Sequence, residues 1–209
     1  MANHFVQQRQ WEAAVITLII YHCYLRPGEP FRLIVGSVVP PVPDTAPIHA
    51  RWSLTTHQHE LGISSKTQEF DESLQIDQQQ FPFLGPALMT IANGRAQHLP
   101  LFPLQQSEYN RLFRQAVVDL PLTALGHVAP YQLRHAGASN DFSSGRRTLI
   151  EIQRRGRWRS TASVRRYEEG GRVTEQLRRL PERLRIHGVT CGLHIASIVS
   201  GMLSPLRPP

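Results

Sequence analysis

The chain of 209 residues has almost no lysine and little cysteine. Arginine supplies 22 of its 23 positive side chains, and Lys66 is the only lysine. The two cysteines, Cys23 and Cys191, are far apart and form neither a disulfide framework nor a cluster of metal ligands, which indicates a reducing compartment. No apolar run approaches the roughly 20 residues needed to span a bilayer. We therefore expect an intracellular protein without a membrane partner, in the cytoplasm of a prokaryote or the nucleus of a eukaryote.

Sequence signatures of several cofactors are also missing. The chain has no acidic metal cluster, no Walker phosphate loop and no glycine-rich dinucleotide turn, so we expect neither a metal nor a cofactor. A composition of 41% hydrophobic and 19% charged residues is that of one ordinary globular domain. It excludes disordered, collagen-like and coiled-coil proteins.

Positive charge is concentrated in the C-terminal part of the chain. Residues 126–187 hold 14 arginines and 6 acidic residues, whereas the rest holds 9 basic and 10 acidic residues. Arginines set against phosphates release condensed counterions, so a basic region of this kind favours a polyanionic partner. A solvated basic surface without a partner is the alternative.

The spacing of apolar residues predicts a mainly α-helical fold with a small antiparallel β-sheet. Residues 11–23 form an apolar helix that must end before Arg26, because Pro27 disfavours helical geometry at the preceding residue. Short strands are predicted at residues 52–56 and 63–76. Further helices are predicted at residues 84–92 (closed by Asn93 and Gly94), after a Ser107 cap, from Pro130, from a Thr148 capping box to Gly156, and after a Ser160 cap through Tyr167. The pattern weakens after Arg185, which predicts one domain over residues 1–187 and a tail over 188–209 that is a packing helix or disordered.

Four patches carry the unusual polar residues of this chain. They are Arg-Pro-Gly-Glu at 26–29, Ser-Lys-Thr at 65–67, Tyr-Gln-Leu-Arg-His at 131–135 and Gly-Arg-Trp at 156–158, the last followed by a tyrosine nine positions after the tryptophan. In this order the patches resemble the tyrosine recombinase (phage integrase) family over residues 11–179. That family has an Arg-x-x-Glu segment after an apolar helix, a lysine on a β-hairpin, His-x-Leu-Arg-His, and Gly-x-(His or Trp) nine residues before its nucleophilic tyrosine.

The resemblance implies the fold of the family's catalytic domain and a set of site residues. The implied catalytic residues are Arg26, Lys66, Tyr131, Arg134, Trp158 and Tyr167, with Glu29 and His135 in support. One position departs from the family pattern, because Tyr131 replaces the usual histidine. From the residues alone, Glu29 is expected to buttress the arginine loop and His135 to pack or hydrogen-bond in the interior, while Trp158 has a core position as its alternative.

The chemistry of these residues suits phosphoryl transfer to a tyrosine. A phenol has a reference pKa of about 10, so attack on a phosphodiester needs nearby positive charge and a proton acceptor. Arg26 and Arg134 can hold the non-bridging phosphate oxygens. Lys66 can protonate the departing 5′ oxygen, a task arginine cannot perform because it stays protonated. Tyr167 would then carry a 3′-phosphotyrosyl link, which a 5′ hydroxyl reverses without metal.

The leading hypothesis is therefore DNA strand breakage and rejoining, as in site-specific recombination and DNA integration by mobile elements. Its expected partners are double-stranded DNA and other protomers of a synaptic assembly. A type IB topoisomerase-like enzyme shares the residue set. A catalytically decayed or truncated DNA-binding domain is a further alternative, because the N-terminal core-binding domain usual in the family is expected to be absent. A generic arginine-rich RNA-binding protein would leave Lys66, Trp158 and Tyr167 unexplained.

Overall fold

The described part of the chain is mainly helical, with one three-stranded antiparallel sheet, and this confirms the coarse fold class predicted from the sequence. The computed structural model describes residues 1–46, 49–56, 62, 72–77, 81–167 and 170–208. Its elements are, in chain order, α1 (Ala2–Gln7), α2 (Trp11–Cys23), β1 (Val38–Val39), β2 (Trp52–Thr56), β3 (Glu72–Ile76), α3 (Leu84–Ala92), α4 (Gln106–Asp119), α5 (Pro130–Ser143), α6 (Leu149–Arg155), α7 (Ala162–Arg165), α8 (Gly170–Arg178) and α9 (Glu182–Val199).

Helix α2 is the centre of the fold. Its residues 13–20 are all buried, as expected for a helix that is apolar on every side. It contacts α1, α3, α5 and α9. The approach of α5 is especially close, because a Cβ at Gly137 would overlap the backbone oxygen of Tyr21. This contact places the residues around Arg134 beside the C-terminal end of α2.

The sheet has the strand order β1-β2-β3, and β2 confirms the strand predicted at residues 52–56. Leu54 pairs with Leu74, and both side chains are buried in the main core. Strand β3 occupies the last five residues of the segment predicted as 63–76, while residues 63–71, including Lys66, lie outside the described part of the chain. The two-residue strand β1 has no counterpart in the prediction.

Several predicted helix boundaries are confirmed. Helix α3 covers residues 84–92 and is followed by Gly94 in a left-handed conformation. Pro130 is the first residue of α5. The Thr148 hydroxyl accepts from the backbone N–H of Glu151 at 3.3 Å, which confirms the capping box of α6.

The predicted serine caps are wrong. Helix α4 begins at Gln106, one residue before Ser107, and Glu12 fixes its entry by accepting from the backbone N–H of Leu104 at 3.1 Å. Helix α7 begins at Ala162 with Thr161 at its N-cap, and the Ser160 hydroxyl bonds the Ser163 hydroxyl at 3.1 Å instead of capping a backbone N–H. Tyr167 was expected on this helix but lies two residues beyond its end, in a turn.

Helix α9 runs on both sides of the predicted boundary between residues 187 and 188. Its residues Ile195 and Val199 belong to the main core, and the indole N–H of Trp11 donates to the Val199 carbonyl at 3.0 Å. Residues 188–199 are therefore a packing helix. None of the helices in the described ranges combines the length and apolar character that crossing a membrane requires.

A second, smaller apolar cluster lies under the residues that the family resemblance singles out. Its buried members are Tyr24, Ala138, Ile152, Val164 and Tyr167, and Trp158 packs against them. Helices α5, α6 and α7 and the end of α2 each contribute to it, so the site is assembled from segments far apart in the sequence.

Candidate active site

The structure brings seven of the eight predicted site residues into one connected group, the arginine–aromatic cluster. Ion pairs, ring contacts and electrostatic interactions between neighbouring side chains connect its members. The members are Arg26, Glu29, Tyr131, Arg134, His135, Trp158 and Tyr167. Lys66, the eighth, lies outside the described residues.

Arg134 occupies the middle of the cluster and is 2% exposed. Its two terminal nitrogens donate to the backbone oxygens of Tyr24 and Gly156, and its guanidinium carbon lies 4.4 Å from the centre of the Trp158 ring. Burial, followed by the charge of Arg157, lowers the pKa of Arg134 to about 10, so the group is still a cation at neutral pH. The guanidinium group of Arg134 thus connects the end of α2 to the end of α6.

The buried Nε–H of Arg134 has no hydrogen-bond acceptor among the described residues. Buried donors in native proteins nearly always have a partner, and a donor of a charged group is costly to leave alone. Arg134 therefore has an unused donor that an anion could satisfy.

The Gly-Arg-Trp segment closes α6 in a way that requires its glycine for steric reasons. A Cβ at Gly156 would overlap the six-membered ring of Trp158. Gly156 itself has an ordinary φ of −81°, and the left-handed residue is Arg157, with φ 52°. The prediction that Gly156 ends α6 is confirmed. The glycine is needed because it leaves room for the Trp158 ring, while the left-handed turn is made by Arg157.

Arg157 connects the cluster to two other segments. Its terminal nitrogens pair with Glu29 at 2.7 Å and with Glu72 of β3 at 2.8 Å. Glu29 also accepts from the Arg26 side chain at 3.0 Å and from the Arg26 backbone N–H at 2.7 Å. The prediction that Glu29 buttresses the arginine loop agrees with these contacts, and Arg26 keeps a 27% exposed side chain.

Glu29 stays ionised although it is buried. Burial alone would raise the pKa of its carboxyl, but the charge of Arg157 and the hydrogen bonds from Arg26 and Arg157 hold that pKa below its usual value. The carboxylate therefore fixes two arginines at once, and one of them reaches the surface beside Arg134.

Tyr167 is 4% exposed, and its hydroxyl oxygen lies 2.6 Å from Nδ1 of His135. Trp158 packs against the phenol, with ring centres 5.7 Å apart. Burial raises the pKa of the Tyr167 hydroxyl to about 12, against the opposing charges of Arg166 and Arg134. The phenol is thus protonated at neutral pH and already bonded to a potential proton acceptor.

His135 has aromatic neighbours on two sides. The Trp158 ring is stacked on it at 23° and 6.1 Å, and the Tyr131 ring meets it edge-on at 4.6 Å. Tyr131, which replaces the histidine of the family pattern, is 47% exposed. Its hydroxyl can reach a ligand from solvent, whereas His135 faces Tyr167.

A network of ion pairs around Asp141 lies next to the arginine–aromatic cluster. The Tyr24 hydroxyl donates to the fully buried Asp141, which also pairs with Arg146 at 3.0 Å and Arg147 at 3.1 Å. Arg147 in turn pairs with Asp77 at 2.6 Å. These contacts attach α5 to the end of α2 and to the residue after β3.

Some of the C-terminal arginines form contacts inside the protein, so the arginine surplus does not lie entirely on the surface. In the part of the chain that the structure describes, at least five of the 14 arginines in residues 126–187 are engaged in the contacts just described or in similar ones, namely Arg134, Arg146, Arg147, Arg155 and Arg157. Their acidic partners include Glu29, Glu72 and Asp77 from the N-terminal part. Part of the C-terminal arginine surplus therefore serves internal pairing. Exposed arginines flank Trp158 and Tyr167 in sequence, at positions 154, 159, 165 and 166.

Sequence reasoning missed Arg157, Tyr24 and Asp141. Arg157 lies inside the Gly-x-Trp pattern, but its partner Glu72 is 85 residues away, and nothing local marks the pair. Among the described residues, no group of three or more histidine, cysteine, aspartate or glutamate side chains is arranged to hold a metal ion.

Comparisons with protein-family models, with curated proteins and with solved structures found no match to this chain. The resemblance to tyrosine recombinases therefore depends on the order, spacing and clustering of its own residues.

Proposed function

We propose that this chain is a tyrosine recombinase-like catalytic domain that breaks and rejoins DNA strands through a 3′-phosphotyrosyl intermediate at Tyr167. The proposal includes the integrase-type fold of the DNA breaking–rejoining enzymes. The observation that carries it is the contact of Tyr167 with His135 in a cluster that also holds Arg134 and Trp158. The sequence pattern alone singles out these residues, which are up to 33 positions apart in the chain.

The positive charge of the cluster supports a phosphodiester as the substrate. The charges of Arg157 and Arg26 act on Arg134, and burying like charges together costs free energy unless an anion or an acceptor compensates. Glu29 compensates part of this charge. The unused Nε–H of Arg134 offers a place for a phosphate oxygen, and the partly exposed Arg26 side chain offers another donor.

In the proposed reaction, the Tyr167 oxygen attacks the phosphorus and forms a new P–O bond as the P–O5′ bond breaks. The arginines stabilise charge on the non-bridging oxygens, where most of the catalytic effect in phosphoryl transfer arises. The departing 5′ oxygen takes a proton from Lys66, as the family resemblance implies. Attack by a 5′ hydroxyl reverses the step and releases Tyr167.

The burial of Tyr167 adds one requirement. With 4% of the residue exposed and the Arg134 fork bonded to backbone oxygens, DNA has to open the cluster before the phosphate meets both groups. The turn that carries Tyr167 follows the four-residue helix α7, and a helix this short is held mainly by its packing. We propose that DNA binding, with partner protomers, moves this turn.

Trapping of a covalent complex tests the proposal. The protein is incubated with a pool of nicked duplexes of random sequence, in which loss of the short fragment beyond the nick prevents religation. Wild type should form a protein–DNA adduct, and Tyr167→Phe should form none. The Tyr167 change removes one oxygen and almost no volume, so its melting temperature should stay near that of wild type. An adduct with Tyr167→Phe would refute the role of this hydroxyl.

A catalytically decayed DNA-binding domain is the second candidate, and two observations favour it. Tyr131 replaces a histidine, and both Arg134 and Tyr167 are buried in the described structure. This candidate predicts DNA binding without any adduct, even when a core-binding domain is supplied in trans. The same trapping experiment therefore separates the two candidates.

A further inference from the structure

We infer that His135 is the general base that accepts the phenolic proton of Tyr167, an assignment that rests on the proposed function. From the sequence, His135 is expected only to pack or hydrogen-bond in the interior, and the first histidine of the family pattern falls at the position held here by Tyr131. The geometry instead aligns the neighbouring imidazole with the nucleophile.

The distance between Nδ1 of His135 and the Tyr167 oxygen, 2.6 Å, is within the reach that general-base catalysis needs. When the imidazole carries its proton on Nε2, the phenol donates to Nδ1 along this hydrogen bond. The proton can then move to Nδ1 as the Tyr167 oxygen bonds to phosphorus. The 5′ oxygen leaves with the electron pair of the broken P–O bond and receives its proton from a group other than His135, so the step is balanced.

The surroundings of His135 fix the ring in this orientation. Trp158 stacks on one side, and Tyr131 meets the ring edge-on from the preceding turn of α5. A side chain held by two aromatic neighbours loses little further freedom when the proton moves. Tyr131 therefore holds His135 in place. His135 acts as the base, so the phenol of Tyr131 need not do so.

The electrostatics of the pair make a base necessary. Burial keeps the pKa of Tyr167 near 12, so an unassisted phenol would be almost entirely protonated at neutral pH. Among the residues that the structure describes, the charged groups acting on this hydroxyl are the guanidiniums of Arg134 and Arg166, with the phenol of Tyr131 as a further titratable neighbour. The two cations favour the phenolate that forms during attack.

The test measures adduct formation in single turnover on the pooled nicked duplexes, prepared with a 5′-bridging phosphorothiolate at the scissile position. A thiolate leaves without a proton, so the rate no longer depends on Lys66 and reports activation of Tyr167. Wild type, His135→Ala and His135→Asn are compared over a range from about pH 5 to about pH 9, on either side of the reference imidazole pKa of about 6.5. His194→Ala, on the exposed face of α9, is the matched control.

We expect His135→Ala and His135→Asn to react at least about 10²-fold more slowly than wild type. Both should lose the inflection in the histidine range, and free imidazole should restore part of the His135→Ala rate. A merely structural role would not produce rescue by imidazole. His135→Asn keeps a polar group in contact with Tyr167, so it serves if His135→Ala fails to fold.

Two outcomes would overturn the assignment in different ways. If wild type forms the adduct and the His135 variants keep its rate and pH profile, the base is another group while Tyr167 remains the nucleophile. If wild type forms no adduct with any substrate in the pool, the proposed function fails and the base role fails with it.

Discussion

Glu29→Gln provides the sharpest test of how the arginine loop is held. The substitution keeps the shape of the side chain but removes the charge that faces Arg26 and Arg157. The Glu29 side chain is 6% exposed and that of Arg157 is 11% exposed, so the lost pair is largely shielded from water. Removing one partner of a buried pair costs about 3–5 kcal/mol. Because Arg157 keeps Glu72, we expect a cost near the lower limit, about 3 kcal/mol.

The measurement is thermal unfolding of wild type and two variants. For a chain of this size, about 3 kcal/mol corresponds to a fall in Tm of roughly 6–12 °C. The matched control is Glu108→Gln, which breaks the exposed pair between Glu108 and Arg111 at 2.7 Å and should leave Tm unchanged within error. If both variants lower Tm equally, the Glu29 network does not stabilise the loop.

The same variant gives a pH dependence with a definite sign. The folded protein holds the pKa of Glu29 below its usual value, so the stabilisation is complete above the unfolded pKa of about 4.3. It is lost as the pH falls through the lower, folded pKa. The stability difference between wild type and Glu29→Gln should therefore be constant near neutral pH and shrink in acid.

Two further predictions concern the Trp158 position and the DNA-binding surface. Gly156→Ala should lower the unfolding free energy by about 1–3 kcal/mol and shift tryptophan fluorescence, because its Cβ would overlap Trp158. The control is Gly188→Ala on α9, whose Cβ meets open space and which should cause neither effect. Fluorescence anisotropy should show DNA binding that is weak, largely independent of sequence and steeply salt-dependent. Arg165→Ala should reduce the slope of log affinity against log salt by about 0.9, whereas Arg111→Ala, in α4, should leave it unchanged. Unchanged behaviour of Gly156→Ala or Arg165→Ala would refute the corresponding contact.

Local signals were sufficient where a residue's role depends on its neighbours in sequence. The apolar run of α2, Pro130 at the start of α5 and the Thr148 box of α6 were all predictable, because helix formation and capping depend on residues within one turn. Helix α1 and strand β1 were missed, since six and two residues are too few to show a period.

Long-range pairing explains what the sequence could not predict. Whether an arginine points to solvent or to a buried acid depends on contacts such as Arg147 with Asp77, 70 residues away. The count of arginines therefore overstated the basic surface. The pairing of His135 with Tyr167 depends likewise on how α5 packs beside the turn after α7, and neither residue's local sequence specifies it.

Mass spectrometry of the trapped adduct tests directly whether Tyr167 carries the DNA. After digestion with trypsin and nuclease, we expect a nucleotide joined through its 3′ phosphate to the peptide of residues 167–172, Tyr-Glu-Glu-Gly-Gly-Arg, whose only hydroxyl side chain is that of Tyr167. The Tyr167→Phe digest should lack this species. A nucleotide on a peptide containing Tyr131 or Tyr109, or a linkage through a 5′ phosphate, would show that Tyr167 does not form the proposed 3′-phosphotyrosyl intermediate.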